Sequence, residues 1–316
     1  SRCSGDAHGH PCQGGQGGGG TTWTPAPPEF EPPCPAAGTM LPLSLLTWNT
    51  LAPVYFRGRG DTVEAQFPER VLARHARICE ALIDSNADVI CLQEHWFDAE
   101  LCRFYRKRLV QDAAFRYEAL QRTAWNSDGR SEDGVAMFVR KGVEVVQRHD
   151  VRFHDYGIPQ DRVALILVLR DARPAAGEAR PRAPLLAVLC THLTYPHSVH
   201  DERARLAQIG ACIAAAQEKV PRGMPVVLAG DLNGPSVDGV SGVLRAAGFR
   251  NVWEEVHGRP CGVTHVDHRG ANFASDHVWI RGGLSPTSAQ LLPAAVPDTS
   301  ALRRPAIGAA ADCSLD

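Results

Sequence analysis

Paired cysteines are missing from this chain. Its ten cysteines fall singly, without a CxxC pair or regular spacing. Several, Cys91 and Cys190 among them, sit inside apolar runs where a thiol acts as a small hydrophobe. That pattern argues against a disulfide framework and against a structural zinc site, whose ligands come in short-spaced pairs. It points to a reducing, intracellular compartment, with the cytoplasm as the expectation. Long hydrophobic runs are absent too. No apolar stretch reaches the roughly 18 residues of a membrane span, and no signal-type segment precedes the first strand-like run, so a soluble protein without a membrane partner is expected. Excess charge of either sign is also lacking, for the formal net charge is −2. Such a chain has no overall electrostatic grip on duplex nucleic acid. Its one dense basic cluster, Arg103, Arg106, Lys107 and Arg108, has helical spacing and fits a solvated helix face as well as a local nucleic-acid contact. The chain begins with Ser1 rather than Met, so the natural N-terminus, with any targeting peptide, is expected to lie upstream.

What is present is enough for a full core: 316 residues, 44% hydrophobic and 22% charged. Residues 1–40, with GGQGGGG and PAPPEFEPP, are too poor in apolar groups to offset the entropy of ordering and read as a disordered arm. One domain is expected over 43–283, followed by an Ala/Pro-rich tail over 284–316. Apolar residues at helical intervals predict helices over 67–85, 98–109, 201–219 and 239–247, with Asp201 as the capping acid of the third. Strands are predicted over 117–122, 134–140, 143–148, 163–170 and 185–191, besides the runs LSLLTW, ADVICLQ and MPVVLAG. Residues 171–184 read as a surface loop. Mixed strands and helices of this kind predict an α/β sandwich, two packed sheets with helices outside.

Five of the apolar runs end abruptly in polar residues: WN at 48–49, QE at 93–94, THL at 191–193, GDLN at 230–233 and SDH at 275–277. If the strands share one edge, Asn49, Glu94, His192, Asp231, Asn233, Asp276 and His277 converge as oxygen ligands, a base and imidazoles, the equipment for metal-assisted hydrolysis of a phosphate ester. In GDLN, Asp231 can hold a water for in-line attack while Asn233 donates to a phosphate oxygen. Taken alone, GDLN is equally well explained as a turn. Glu94, a carboxylate leaving a buried strand, is the first metal ligand, and Asn49 could complete the shell through its side-chain oxygen. His192 can donate to phosphoryl oxygens. Asp276 and His277 are adjacent, so on an extended strand they point to opposite faces and only one can address the centre. His265 and His268 are the nearest substitute imidazoles. Trp48, Trp96, Trp125, Phe153 and Tyr195 would stack on bases if exposed.

Taken together, LTWNTLAP, DVICLQE, DGVAMFVRK, THL and GDLN resemble the endonuclease/exonuclease/phosphatase family of metal-dependent phosphodiesterases and phosphatases. TWNTLAPVY, EDGVAMF and DRVALILVL are most similar to its branch of poly(A) deadenylases, nocturnin and their plant relatives. The resemblance implies a four-layered α/β sandwich. It places Glu94 and Asn49 at the metal, Asp231 and Asn233 at the water and phosphate, and His192 in the fourth block. The departure lies at the C-terminal end. Such proteins carry an aspartate strand and, later, a separate Ser-Asp-His, whereas here ASDHVWIRG fits either register and no histidine follows His277. The expectation is a Mg²⁺- or Mn²⁺-dependent phosphodiester hydrolase, deadenylase-like, cutting RNA from the 3′ end. The alternatives are a phosphomonoesterase on a nucleotide or inositol phosphate and, third, a non-catalytic phosphate- or protein-binding module. No protein partner is identified.

Overall fold

The computed structural model describes residues 42–56, 62–122, 133–171, 186–266 and 272–292. The 1–40 arm, Trp125, His268, the body of the 171–184 loop and all but the start of the tail lie outside the described residues.

Four strands, β1 (Leu45–Asn49), β2 (Val89–Trp96), β3 (Phe115–Gln121) and β4 (Asp133–Arg140), make one sheet in the order β1-β2-β4-β3. Within it β1 and β2 are parallel and the other pairs antiparallel. The second sheet holds β5 (Val143–Arg152), β6 (Val163–Asp171), β7 (Leu186–His192), β8 (Val226–Asp231), β9 (Arg250–Asn251) and a last strand, Asp276–Arg281. A separate two-stranded ribbon joins β10 (His265–Val266) to β11 (Asn272–Phe273), which makes the last strand β12. The second sheet runs β5-β6-β7-β8-β12-β9, with only β7 and β8 parallel.

The inner strands of both sheets, β2, β7 and β8 among them, are covered on both faces, which is why they read as nearly unbroken apolar runs, whereas β3 and β5 at the sheet edges carry exposed polar residues. The two-residue period still sorts the side chains. In β2, Val89 and Cys91 enter the layer between the sheets, where they meet Leu165 and Leu167 of β6 and Val188 of β7. Ile90 and Leu92 face the other way, onto Ile78 and Leu82 of α1 (Pro68–Asp84) and Leu101 of α2 (Ala99–Tyr105). On the far side, Ile166, Leu189 and Leu228 pack on Ile209 and Ile213 of α3 (Val199–Lys219) and Leu244 of α4 (Gly239–Ala246). The order helices, sheet, sheet, helices is the four-layered sandwich that the strand and helix pattern predicts.

Local chemistry adjusts the predicted boundaries. The helix expected over 98–109 ends as α2 at Tyr105 and continues through Asp112 as wider π-turns. For α3 the cap is Ser198 rather than Asp201. Ser198 Oγ accepts the Asp201 N–H at 3.3 Å and donates to its carboxylate at 2.7 Å, a reciprocal box that starts the helix two residues earlier. The short helix α5 (Val252–His257), β9 and the β10–β11 ribbon span two to six residues each, too few to show a period. Among the described residues no helix is long and apolar enough to cross a membrane. The described cysteines are free thiols.

Two buried histidines in the helix-facing layer set an acid limit. His75 Nδ1 lies 2.9 Å from Tyr105 Oη, and His95 Nε2 lies 2.8 Å from Tyr117 Oη. Burial, helped by Arg74, holds His75 well below the ordinary imidazole value. Burial again, helped by Arg106, pushes His95 down to about 3. Because both folded values lie below the unfolded value of about 6.5, the unfolded chain takes up protons first. Stability is therefore complete above that value and is lost as pH falls toward the folded pKa. The unfolding free energy from urea titration should drop by about a few kcal/mol between about pH 7.5 and 5, and the urea midpoint with it; a flat midpoint would contradict this account.

Candidate active site

The strand ends named by the sequence come together. In the second sheet, His192 of β7 pairs across to Asp231 of β8, and Asp231 to Asp276 of β12. Directly opposed residues share a face, so these three form one row and His277 falls on the other face. In the first sheet Asn49, the last residue of β1, is the ladder partner of Gln93. A register shift between Leu92 and His95 marks a bulge in β2. Within it Glu94 takes φ +52°, a left-handed conformation that re-aims its side chain. As a result Glu94 reaches Asn49, while Gln93 turns between the sheets to Thr47 Oγ1 and Cys190 Sγ.

The centre is a buried amide flanked by two carboxylates. Asn49 Nδ2 donates to Glu94 Oε1 and to Asp231 Oδ2, both at 3.0 Å. The two acid oxygens are thus no more than twice that distance apart. Asn49 Oδ1 accepts the Leu51 N–H at 3.0 Å, and Glu94 Oε2 accepts the Ala52 N–H at 2.7 Å. These partners fix the amide orientation. In this structure Asn49 is a donor that links the two carboxylates. Asp231 Oδ1 accepts the Asn233 N–H at 2.8 Å. All of these side chains are buried.

Unusual backbone is concentrated at the same place. Of five described non-glycine residues with positive φ, Leu51, Glu94 and Asn233 belong to this cluster. Each such residue costs about 1 kcal/mol or more, a strain typical of functional sites. Gly230, at φ +152°, approaches β7 so closely that a Cβ would lie 1.9 Å from Thr191 O. This is the physical reason that a glycine precedes Asp231.

His192 is buried among donors. Arg162 Nη1 lies 2.8 Å from Nδ1, and a guanidinium can only donate, so Nδ1 accepts and Nε2 carries the ring proton. Nε2 lies 3.7 Å from Asp231 Oδ2. Asn233 Nδ2, which donates to Leu193 O at 2.8 Å, also comes within 3.0 Å of Nε2. Two nitrogen donors, His192 Nε2 and Asn233 Nδ2, thus stand side by side next to the Asp231 carboxylate. Burial, then the charges of Arg162 and Arg122, hold His192 well below the usual imidazole value, so the ring is neutral.

The remaining expectations divide. His277 gives Nε2 to two backbone carbonyls, Gly234 at 2.8 Å and Ala274 at 3.1 Å. It clamps the turn after Asn233 and does not join the donor group at His192. Asp276 is half-buried in the row beside Asp231, and its own N–H goes to Thr264 Oγ1 at 3.0 Å. His265 is near enough for its charge to lower the His192 pKa. Trp96 and Phe153 are core residues and present no face to a base. Tyr195 is exposed and packs against His197, with ring centroids 4.6 Å apart.

The sequence reading missed Arg162 and the network beside it. Ala164 pairs with Thr191, so a residue just before β6 stands next to the end of β7. Arg122 donates through Nη1 to Asp133 at 2.7 Å and through Nη2 to Asp161 at 2.6 Å. Arg122, Asp133, Gly134, Arg162 and His192 line a small cleft. The available signal was the Asp-Arg pair at the head of VALILVL, a charged strand start facing the polar strand endings.

The chain matches the model of the endonuclease/exonuclease/phosphatase family over residues 46–309 and belongs to that family, whose name describes hydrolases of phosphoester bonds. Among curated proteins it is 31% identical, over 75% of this chain and 50% of the other, to the uncharacterized calcium-binding protein At1g02270 of Arabidopsis thaliana. It thus spans about half the length of that relative. Among solved structures, the human nocturnin catalytic domain with bound sulfate superposes with a TM-score of 0.57 at 19% identity, covering 76% of this chain and 81% of that one. ANGEL2, described as a 2′,3′-cyclic phosphatase in complex with adenosine-2′,3′-vanadate, gives 0.55 at 19% identity, covering 76% and 84%. At these identities the likeness is one of fold.

Proposed function

We propose that this chain is a divalent-metal-dependent phosphodiester hydrolase that removes nucleotides from the 3′ end of RNA, a deadenylase-like exoribonuclease. The observation that carries the hydrolytic reading is the meeting of Glu94 and Asp231 on the one nitrogen of Asn49. Two buried carboxylates so close repel each other, and a cation beside them relieves that repulsion. Among the described residues no three His, Cys, Asp or Glu side chains gather into a cage. One or two strand-end carboxylates with water is the habit of Mg²⁺ or Mn²⁺, so the residues fit such an ion.

In this reading Glu94 holds the metal, and Asn49 and the Ala52 N–H hold Glu94. A bound ion supplies Lewis acidity at a phosphoryl oxygen and charge for the leaving oxygen. Asp231, oriented by Asn49 and the Asn233 N–H, receives the proton of the attacking water and aims it in line. Neutral His192 donates its Nε2–H, beside Asn233 Nδ2, to the phosphoryl oxygens as their charge grows. Asp276 stands in the same row as a further carboxylate. His265 is the described imidazole best placed to join His192, a role that the position of His277 leaves open.

Product analysis tests the substrate. With Mg²⁺ or Mn²⁺, AMP release from oligo(A) should exceed phosphate release from nucleotide or inositol monoesters, and EDTA should abolish it. Phosphate release alone would transfer the assignment to a phosphomonoesterase. Hydrolysis of neither would leave a binding module.

A further inference from the structure

Arg162 has hydrogen-bonding capacity that the hydrolytic cluster does not use. It stands half-buried directly before β6, on the wall of the cleft beside His192. Its neighbour Arg122 is fully committed, with Nε and Nη2 on Asp161 and Nη1 on Asp133. Arg162, by contrast, forms no ion pair among the described residues, and its one hydrogen bond runs from Nη1 to His192 Nδ1. A guanidinium carries five N–H groups in a planar fork. While Nη1 orients His192, Nε and Nη2 can still grip an acceptor side by side. A half-buried guanidinium without an acid favours an anion, and phosphate matches the fork in geometry as well as charge.

The ring fixes where that anion lies. Nε2 of His192 faces Asp231, and Nδ1 faces Arg162, so the imidazole stands between Arg162 and the carboxylate pair. A phosphate held by Arg162 is therefore not the one attacked near Asp231. We infer that Arg162 binds a second phosphate of the substrate, next to the one hydrolysed. The substrate class is then a polynucleotide, or a nucleotide with two separate phosphates, rather than a compound with a single phosphoester. This rests on the hydrolytic reading above for the position of the first phosphate.

Two measurements test it. Inorganic phosphate is titrated into the metal-free protein while the His192 ring nitrogens are followed by ¹⁵N NMR. A saturable shift is expected in the wild type. Arg162→Gln should weaken it about tenfold or more, and Arg162→Lys, which keeps the charge but not the fork, by less. No response at His192, or wild-type affinity in Arg162→Gln, overturns the proposal. In the second arm, kcat/KM is compared for ApA, which has only the scissile phosphate, for ApApA and for adenosine 3′,5′-bisphosphate. Wild type should prefer a two-phosphate substrate, and Arg162→Gln should shrink that preference about tenfold. Preference for ApApA identifies a polynucleotide, and preference for the bisphosphate identifies a small nucleotide. An unchanged preference in Arg162→Gln rejects the role. If nothing is hydrolysed, the hydrolytic reading fails while the phosphate titration still decides the anion site.

Discussion

Asp231→Ala and Glu94→Ala should each lower kcat about a thousandfold or more on oligo(A) with saturating Mg²⁺, while the protein stays folded. The size of the loss follows from what each carboxylate does. Without Glu94 the metal has lost its main anchor, and the stabilisation of charge on the transferring phosphoryl group goes with it. Without Asp231 the attacking water has neither a proton acceptor nor a fixed line of approach, and these effects multiply. Retention of the fold follows from the same geometry read as electrostatics. Each substitution removes hydrogen bonds, Asn49 Nδ2 and the Ala52 N–H losing Glu94, or Asn49 Nδ2 and the Asn233 N–H losing Asp231. It also removes one of two buried like charges held by a shared amide nitrogen. The two effects oppose, as they do where a site is strained for function. Melting temperatures should therefore lie within a few degrees of wild type. Full activity in both variants would refute the hydrolytic reading, and an unfolded pair would refute the balance of terms argued for the cluster.

The parts of this arrangement that could be read from the chain are those set by burial. Strands with both faces covered must be apolar throughout, so the residue at which Leu92 gives way to Gln93 and Glu94, or Ala229 to Gly230 and Asp231, marks where the apolar lining gives way to a buried polar cluster. Five such endings make a shared edge a natural expectation, and His192, Asp231 and Asp276 do lie in one row across neighbouring strands. What could not be read is orientation. Which atom of Asn49 faces the carboxylates is decided by the Leu51 N–H, placed by a left-handed turn that a leucine does not announce. Whether Asp276 or His277 faces the row depends on ladder register, and a slip of one residue exchanges them. Arg162 escaped notice because its importance comes from β6 lying beside β7, a pairing of strands separated by the 171–184 stretch, and not from any local pattern. Ser198 displaced Asp201 as a helix cap for a related reason: both are good capping residues, and only the helix phase chooses between them.

Arg205→Met should destabilise the protein by about 3–5 kcal/mol and reduce turnover along with it. Arg205 is almost wholly buried at 1% exposure, reaching from α3 beneath the turn that follows β8. Its Nε and Nη2 donate to Leu232 O at 3.1 and 2.9 Å, its Nη2 to Asp238 at 2.6 Å, and its Nη1 to Glu202 at 2.7 Å. Leu232 lies between Asp231 and Asn233, so this one guanidinium fixes the peptide that carries both. Asp238 in turn caps α4 by accepting the Ser241 N–H at 2.9 Å. Methionine fills much of the volume but leaves the Leu232 carbonyl and a largely buried Asp238 carboxylate without their partner, and an uncompensated buried charge is the expensive case. Lysine would not restore the function, because a point charge cannot hold the carbonyl and the carboxylate at once as the planar fork does. Gly234 reports on the same packing, since a Cβ there would lie 2.1 Å from Arg205 Nη2 and 2.4 Å from Asp238 Oδ2. Urea unfolding of Arg205→Met and Arg205→Lys, with Gly234→Ala beside them, tests the clamp. All three should unfold at lower urea than wild type, and the folded fraction of each should turn over more slowly. A wild-type midpoint for Arg205→Met would mean that the Asp231–Asn233 turn is held by the strands alone.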